Sequence, residues 1–367
     1  MINPIPTQGS VAPYRSILKI GGTIIDFIHW ETSQSGILEA GTFRATVTAK
    51  ADSWAWWAQQ TEILVDVYAG IPPDPQAYST DDLTQIFTAR IDKLDLDVEL
   101  QRVTLSGRDM TSLLTDNKTT QKWPNLTASQ IAQDIATLWG FQSNIQATTG
   151  TVGNFYTQDH VKLAKAETYW DILTYLAQRE GYQCFVLGRT LYFGNFGAAA
   201  SLNPYLIEFD GSGAYPISNA LRLKFSHDLT LAQDIAVTVR SYHGAHGAVY
   251  KATATVDRPA KYIEKDAALA QIIQHYDYTF PGLTQPECAL KANTILHSLT
   301  EHELKMSANL PFDVILFPWV PVQVTGTGTR WDVTYTPQNI IRKFSKDSIS
   351  MTAECRTGIP NQTVVLS

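Results

Sequence analysis

The sequence predicts a mainly β chain interrupted by an α+β insert. Short alternating runs closed by turn residues fill both ends of the chain, and helical spacing of apolar residues is concentrated in the middle. Apolar residues make up 44% and charged residues only 17%, which favours large buried surfaces over solvated helices or disordered tails.

The N-terminal part reads as antiparallel β structure. "RSILKIGGTIIDFIHWET" gives two strand-like runs around Gly21-Gly22, and "GTFRATVTA" alternates Phe43, Ala45 and Val47 against Thr42, Arg44 and Thr46. "TEILVDVYAG" ends at a glycine before the loop "IPPDPQAYSTDD". In "TQIFTARIDKLDLDVELQRVTLSG", Phe87, Ala89 and Ile91 share one phase, whereas Leu94, Leu96, Val98 and Leu100 occupy the other. Such a phase change requires a bulge or tight turn near Asp92–Asp95. A small barrel or sandwich is the expected result.

Two helices follow. "LTASQIAQDIATLWGF" places Ile131, Ile135 and Leu138 on one stripe, with Thr127 and Gln130 set as a capping box and Gly140 as the stop. "KAETYWDILTYLAQREGY" repeats the plan with Trp170, Leu173, Leu176 and Ala177, ending at Gly181. "YQCFVLGRTLYFGNF" is a hairpin turned at Gly188-Arg189, and "GAAASLNPY" reads as a linker. Strands then return in "NALRLKFSH", "DIAVTVRSY" and "AVYKATATVD". A helix at "TQPECALKANTILHSLTEHELK" has Pro286 in its first turn, and the turns "GTGT" and "FSKDS" separate three closing strands. There is no low-complexity tract or short-period repeat; the two β parts are candidates for distant copies of one unit.

The totals exclude several function classes. A chain of 367 residues suggests two or three domains. A net charge of -7 argues against wrapping nucleic acid through its phosphates. Cys184, Cys288 and Cys355 share no metal or redox spacing, so buried reduced thiols are expected. The N-terminal stretch has no signal-peptide pattern, and no apolar run approaches the ~20 residues that span a bilayer.

Candidate chemistry is sparse. His243 with His246, and His297 with Glu301 and His302, lack the spacing of a zinc site. "TGTGTR" lacks the spacing of a phosphate loop, and no nucleophile elbow is present. Asp92, Asp95, Asp97 and Glu99 bring carboxylates together, but Asp95, Asp97 and Glu99 have strand period and read as a solvated row. The tryptophans of "WAWW" (Trp54, Trp56, Trp57) fit a core or an interface. "SGRDM" reads as a joint: Gly107 lets the strand turn, Asp109 or Ser106 caps the following helix, and Arg108 reaches back to a carbonyl or carboxylate. No catalytic, cofactor-binding or metal-binding residue is assigned, and no cofactor is expected.

Four stretches together resemble the baseplate hub proteins of contractile-tailed phages, namely the Mu-like tail protein and late-control D protein family, with the N-terminal part of type VI secretion spike proteins as relatives. They are "FTARIDKLDLDVELQRVTLSGRDMTSLLTD", "LTASQIAQDIATLWGF", "AETYWDILTYLAQREGYQCFVLGRTLYF", and the run from "ANTILHSLTEHELK" to "DSISMTAE". The resemblance covers most of the chain. It implies two tube-like antiparallel β-barrel domains flanking a small α/β domain, with boundaries at 1–117, 118–204 and 205–367 and a helical interruption around 285–300. It further implies a non-enzymatic homotrimer with pseudo-sixfold symmetry, joining a hexameric tail tube or tube-initiator protein to a trimeric central spike. Baseplate wedge and tape-measure proteins are further implied partners, and DNA would pass without specific binding. The setting would be the virion tail baseplate, assembled in the bacterial host cytoplasm, with spike and wall-degrading functions on other chains. A tip of a non-contractile tail, or a carbohydrate-binding or carbohydrate-degrading tail component, are the alternatives. On this reading Gly107, Arg108 and Asp109 latch the first barrel, and Asp95, Asp97 and Glu99 line either an acidic lumen or a subunit contact. The lumen is expected to be net negative.

Overall fold

The computed structural model describes residues 14–36, 39–123, 125–150, 167–196, 203–213, 216–228, 234–243, 248–255, 273–280 and 282–357. The chain begins with β1 (Arg15–Ile20), β2 (Thr23–Ile25), β3 (Phe27–Ser35), β4 (Thr42–Thr48) and the short helix α1 (Trp54–Gln59). Then come β5 (Leu64–Gly70), β6 (Thr84–Asp97), β7 (Arg102–Asp109) and α2 (Ser112–Asp116). Gly21 and Gly22 take φ of 56° and 85°, backbone that lets β1 reverse tightly into β2. The β6–β7 ladder slips between Ile91 and Lys93, so the bulge that the phase change demands sits at Asp92. Phe87 and Ala89 are buried before it, and Leu94 and Leu96 pack on the same core after it. Val98 and Leu100 lie beyond the strand, in the turn, and are exposed.

The insert holds β8 (Lys118–Thr119), α3 (Ala128–Leu138), β9 (Gln142–Ile145), β10 (Glu167–Thr168), α4 (Tyr169–Glu180), β11 (Gln183–Leu187) and β12 (Thr190–Gly194). Thr127 with Gln130, and Thr168 with Asp171, close capping boxes at the two helix starts. Ile131 and Ile135 pack against Trp170, Leu173, Leu176 and Cys184 in one apolar cluster. Leu138 does not join the stripe: it ends α3 in solvent, and Trp139 and Phe141 fill the core there instead.

The remainder comprises β13 (Tyr205–Asp210), β14 (Ile217–Ser218), β15 (Arg222–His227), β16 (Asp234–His243), β17 (Ala248–Thr255), β18 (Ile273–Thr279) and α5 (Gln285–Thr300). It closes with β19 (Leu304–Leu310), β20 (Val322–Thr325), β21 (Thr334–Ser345) and β22 (Ile349–Thr357). β16, β17 and β18 make a separate sheet, on which α5 buries Cys288, Ala292 and Leu296. Residues 197–202 of the expected linker lie outside the described residues.

The remaining β strands of the two ends join. β21 pairs with β22 on one side and with β3 on the other, and this places both ends of the chain in one sheet of 14 strands. Among the described residues the ladders follow an open path and do not close into two separate barrels. The cores merge as well: Phe344 of β21 stacks on Trp30 of β3 with ring centroids 5.6 Å apart, and Phe312 meets Trp30 edge-on at 6.3 Å.

Candidate functional site: a polar sheet face and the joints behind it

The eight strands β6-β7-β4-β3-β21-β22-β19-β15 run side by side, and between their bulges the side chains alternate for most of the length between a core face and a polar face. The cross-strand register shows how far the polar face extends. One row passes from Arg90 through Arg108, Thr42, Ser33, Ile341, Thr352 and Asn309 to Arg222, each opposite the next. A second row reads Lys93, Ser106, Arg44, Glu31, Lys343 and Ser350. Within it the Lys343 ammonium lies 3.0 Å from Glu31, an ion pair that crosses the seam between the two ends of the chain.

Arg108 stands at the β6 end of this face. Its Nε and Nη2 donate to the two oxygens of Asp92 at 2.8 and 2.9 Å, and its Nη1 and Nη2 donate to those of Asp116 at 2.9 Å each. Arg90 adds a contact to Asp116 at 3.3 Å. The planar guanidinium thus ties the β6 bulge to α2 through two forked contacts. The bond from Arg108 holds Asp116 below the usual carboxylate range. Arg108 therefore makes carboxylate contacts as the sequence suggests, but its neighbours act differently. Gly107 lies inside β7, where a Cβ would come within 2.2 Å of the Arg90 carbonyl oxygen, so close strand approach at the bulge demands glycine instead of a turn. Neither Asp109 nor Ser106 caps α2, whose N-cap is Thr111. Asp109 instead accepts from the backbone N–H of Gly41 at 2.7 Å and of Thr111 at 2.9 Å. Burial pushes its pKa up to about 6 despite those bonds.

A second arginine holds the seam from the core side. Arg342 of β21 is fully buried. Its Nε donates to the Asp313 carbonyl at 3.0 Å, its Nη1 to Gln34 Oε1 of β3 at 2.5 Å, and its Nη2 to the Leu316 carbonyl. Gln34 passes the connection on by donating to the Ile86 carbonyl of β6 at 2.9 Å. Burial lowers the Arg342 pKa to about 10, so the group stays charged at neutral pH. The Asp313 carboxylate is turned elsewhere, accepting from the Tyr205 hydroxyl at 2.7 Å and from the N–H groups of Ile315 and Leu316. Aromatic rings then carry the joint to the insert. The Arg342 guanidinium sits 5.6 Å from the centre of the Phe317 ring, Phe317 stacks on Trp319 at 4.7 Å, and Trp319 stacks on Phe185 of β11 at 4.7 Å.

No protein-family model matches the chain, and no curated protein matches its sequence. Solved structures do match in shape. A tail protein from Neisseria meningitidis MC58 aligns over 94% of this chain and 96% of its own, with TM-score 0.66 and 15% identity. The 43 kDa tail protein of prophage MuSo2 from Shewanella oneidensis aligns over 93% and 98%, with TM-score 0.63 and 12% identity. An E. coli type VI secretion system component, described as similar to T4 bacteriophage tail proteins, covers 95% of this chain and 79% of its own at TM-score 0.52 and 10% identity. The fold is that of the phage tail proteins.

On this tail-protein fold the acidic residues are exposed, as their period suggests, but the row on the strand stops at Asp97. Asp95 is exposed and paired with Lys93 at 2.7 Å, and Asp97 faces Arg102 across the ladder while accepting from the Leu100 N–H at 2.9 Å. Glu99 lies in the β6–β7 turn, past the end of the strand. Nor does the row set the sign of the polar face. Lys and Arg outnumber Asp and Glu there, whereas the whole chain has 28 of the former against 35 of the latter.

The other candidates disperse. His297 bonds Glu301 at 3.0 Å, Glu301 pairs with Arg356 at 3.1 Å, and Arg356 meets His302 at 2.8 Å, an ionic chain from α5 to β22. His243 ends β16, and His246 lies outside the described residues. Among the described residues no cluster of three His, Cys, Asp or Glu side chains is placed to hold a metal. Trp57 is buried under α1 while Trp56 is 43% exposed. Cys184, Cys288 and Cys355 are free and buried. No helix among the described residues is long and apolar enough to cross a membrane. Sequence reasoning missed Arg342 and Gln34. The signal was present in "NIIRKF", where Arg342 occupies the apolar phase between Ile340 and Phe344.

Proposed function

We propose that this chain is a structural subunit of a phage tail and serves as the baseplate hub. In this role it forms a homotrimeric, pseudo-sixfold adaptor between the hexameric tail tube, or its initiator, and the trimeric central spike of a contractile tail. The supporting observation is the sheet that crosses both ends of the chain and keeps one face polar over eight strands. Two β halves per subunit, repeated three times, supply the sixfold match to a tube. The polar face is the surface proposed to line the channel. Its cations outnumber its carboxylates, and some of them are paired across the face, as in Arg108 with Asp92 and Lys343 with Glu31. A net-negative lumen is therefore not part of this reading.

The domains of the reading are the halves 1–117 and 205–367 with the insert 118–204 on the periphery, contacting wedge or tape-measure proteins. The protein acts by fitting, without catalysis, in a virion tail baseplate built in the host cytoplasm. Co-expression with a trimeric central spike protein, followed by native mass spectrometry, tests the adaptor role. The expected species holds three copies of each chain. A complex of any other stoichiometry, or no complex, counts against it.

A further inference from the structure

The charge on the eight-strand sheet is not evenly spread. One outer strand, β6, carries Asp92, Asp95 and Asp97, with Glu99 in the turn that follows. The opposite outer strand, β15, carries Arg222 and Lys224, with Lys305 beside them on β19. None of these three cations makes an ion pair among the described residues. Among the described residues both strands also have unpaired outer edges there. β5 covers β6 only as far as the Leu64–Arg90 pair, and β15 is laddered to β19 alone among the described residues.

Resting on the ring reading above, we infer that the subunit seam is a head-to-tail contact between β15 of one copy and the outer half of β6 of the next. Open edges invite pairing with another chain, and here each edge also selects its partner. Two β6 edges repel each other, as do two β15 edges, so the twofold arrangement is disfavoured and the heterologous one favoured. β6 and β15 run in opposite directions across the sheet, so their junction continues the antiparallel order. Arg222 lies in the same cross-strand row as Arg90, and Asp95 is about five residues further along β6. A closed array of tilted strands staggers its register, and a stagger of that size brings Arg222 level with Asp95. Exposed apolar groups sit at both edges: Val98 at 48% and Leu100 at 61% by the β6 turn, and Leu221 at 76% just before β15. The present partner of Asp95, Lys93, is itself exposed, so the carboxylate can exchange partners at little cost.

Sedimentation of the full chain over a concentration series tests the seam through charge reversal. Arg222→Glu with Lys224→Glu is expected to weaken self-association by about tenfold or more, and Asp95→Lys with Asp97→Lys likewise. The four changes together restore it. Self-association that ignores either reversal, or that the combination fails to restore, overturns this seam and leaves the ring standing. A wild-type chain that stays monomeric throughout overturns the ring and the seam together. As a second readout, Asp95→Cys chains mixed with Arg222→Cys chains form a disulfide-linked pair if the edges meet, and none if they do not. The native cysteines, all buried, do not compete.

Discussion

Arg342 and Arg108 each bind one strand to elements far away in sequence, yet their surroundings are opposite. Arg342 lies in the core and donates to two backbone carbonyls and a side-chain amide, with no carboxylate of the described residues in direct contact. Arg108 is a third exposed and grips two carboxylates with forked bonds. The exposed arginine has the stronger formal pairing but the weaker hold on the fold, because water and salt compete with it. The buried one has nothing to replace its bonds if they are lost. The seam of the molecule thus depends on a group whose partners are neutral, and the strand-to-helix joint on one whose partners are charged.

Breaking the seam should have the largest effect. Arg342→Ala leaves the Asp313 and Leu316 carbonyls and Gln34 without a donor in the core, and a loss of about 3–5 kcal/mol is expected in urea unfolding. Next comes Gly107→Ala, whose methyl group collides with the backbone of β6 at the bulge, at a cost of about 3 kcal/mol by the same assay. Asp109 gives a pH-dependent contrast near the exposed joint. Its folded pKa of about 6 lies above the ordinary carboxylate value, so the folded chain holds this proton after the unfolded chain has released it. The contribution of this group to stability is complete below the ordinary value and is lost as pH rises through about 6. Asp109→Asn should flatten that part of the profile of urea midpoint against pH. Smallest is Arg108→Ala, about 1 kcal/mol after allowance for exposure, with a dependence on salt that Arg342→Ala lacks. A normally assembled particle carrying Arg108→Ala would remove any assembly role for this joint.

Much of the local structure was legible because it follows from short-range rules. The capping residue Thr127, the bulge at Asp92 and the turn at Gly188-Arg189 each have a cause within a few residues. What was not legible lies between distant segments. No local rule says that β21 pairs with β3, so the single sheet, the Arg342–Gln34 bond across it and the basic β15 edge opposite the acidic β6 edge stayed hidden. The reason for Gly107 was misjudged for the same cause: its constraint is the backbone of another strand, not the path of its own. The acidic residues were read by their period alone, which cannot reveal that Lys93 and Arg102 answer Asp95 and Asp97.

The most direct test is a cryo-electron microscopy reconstruction of the assembled particle. The account predicts three copies of this chain closed around the tail axis between tube and spike, with the face bearing Arg44, Thr104 and Lys343 turned to the channel. Copies set away from the axis, or a ring whose polar face is turned outward, would contradict it.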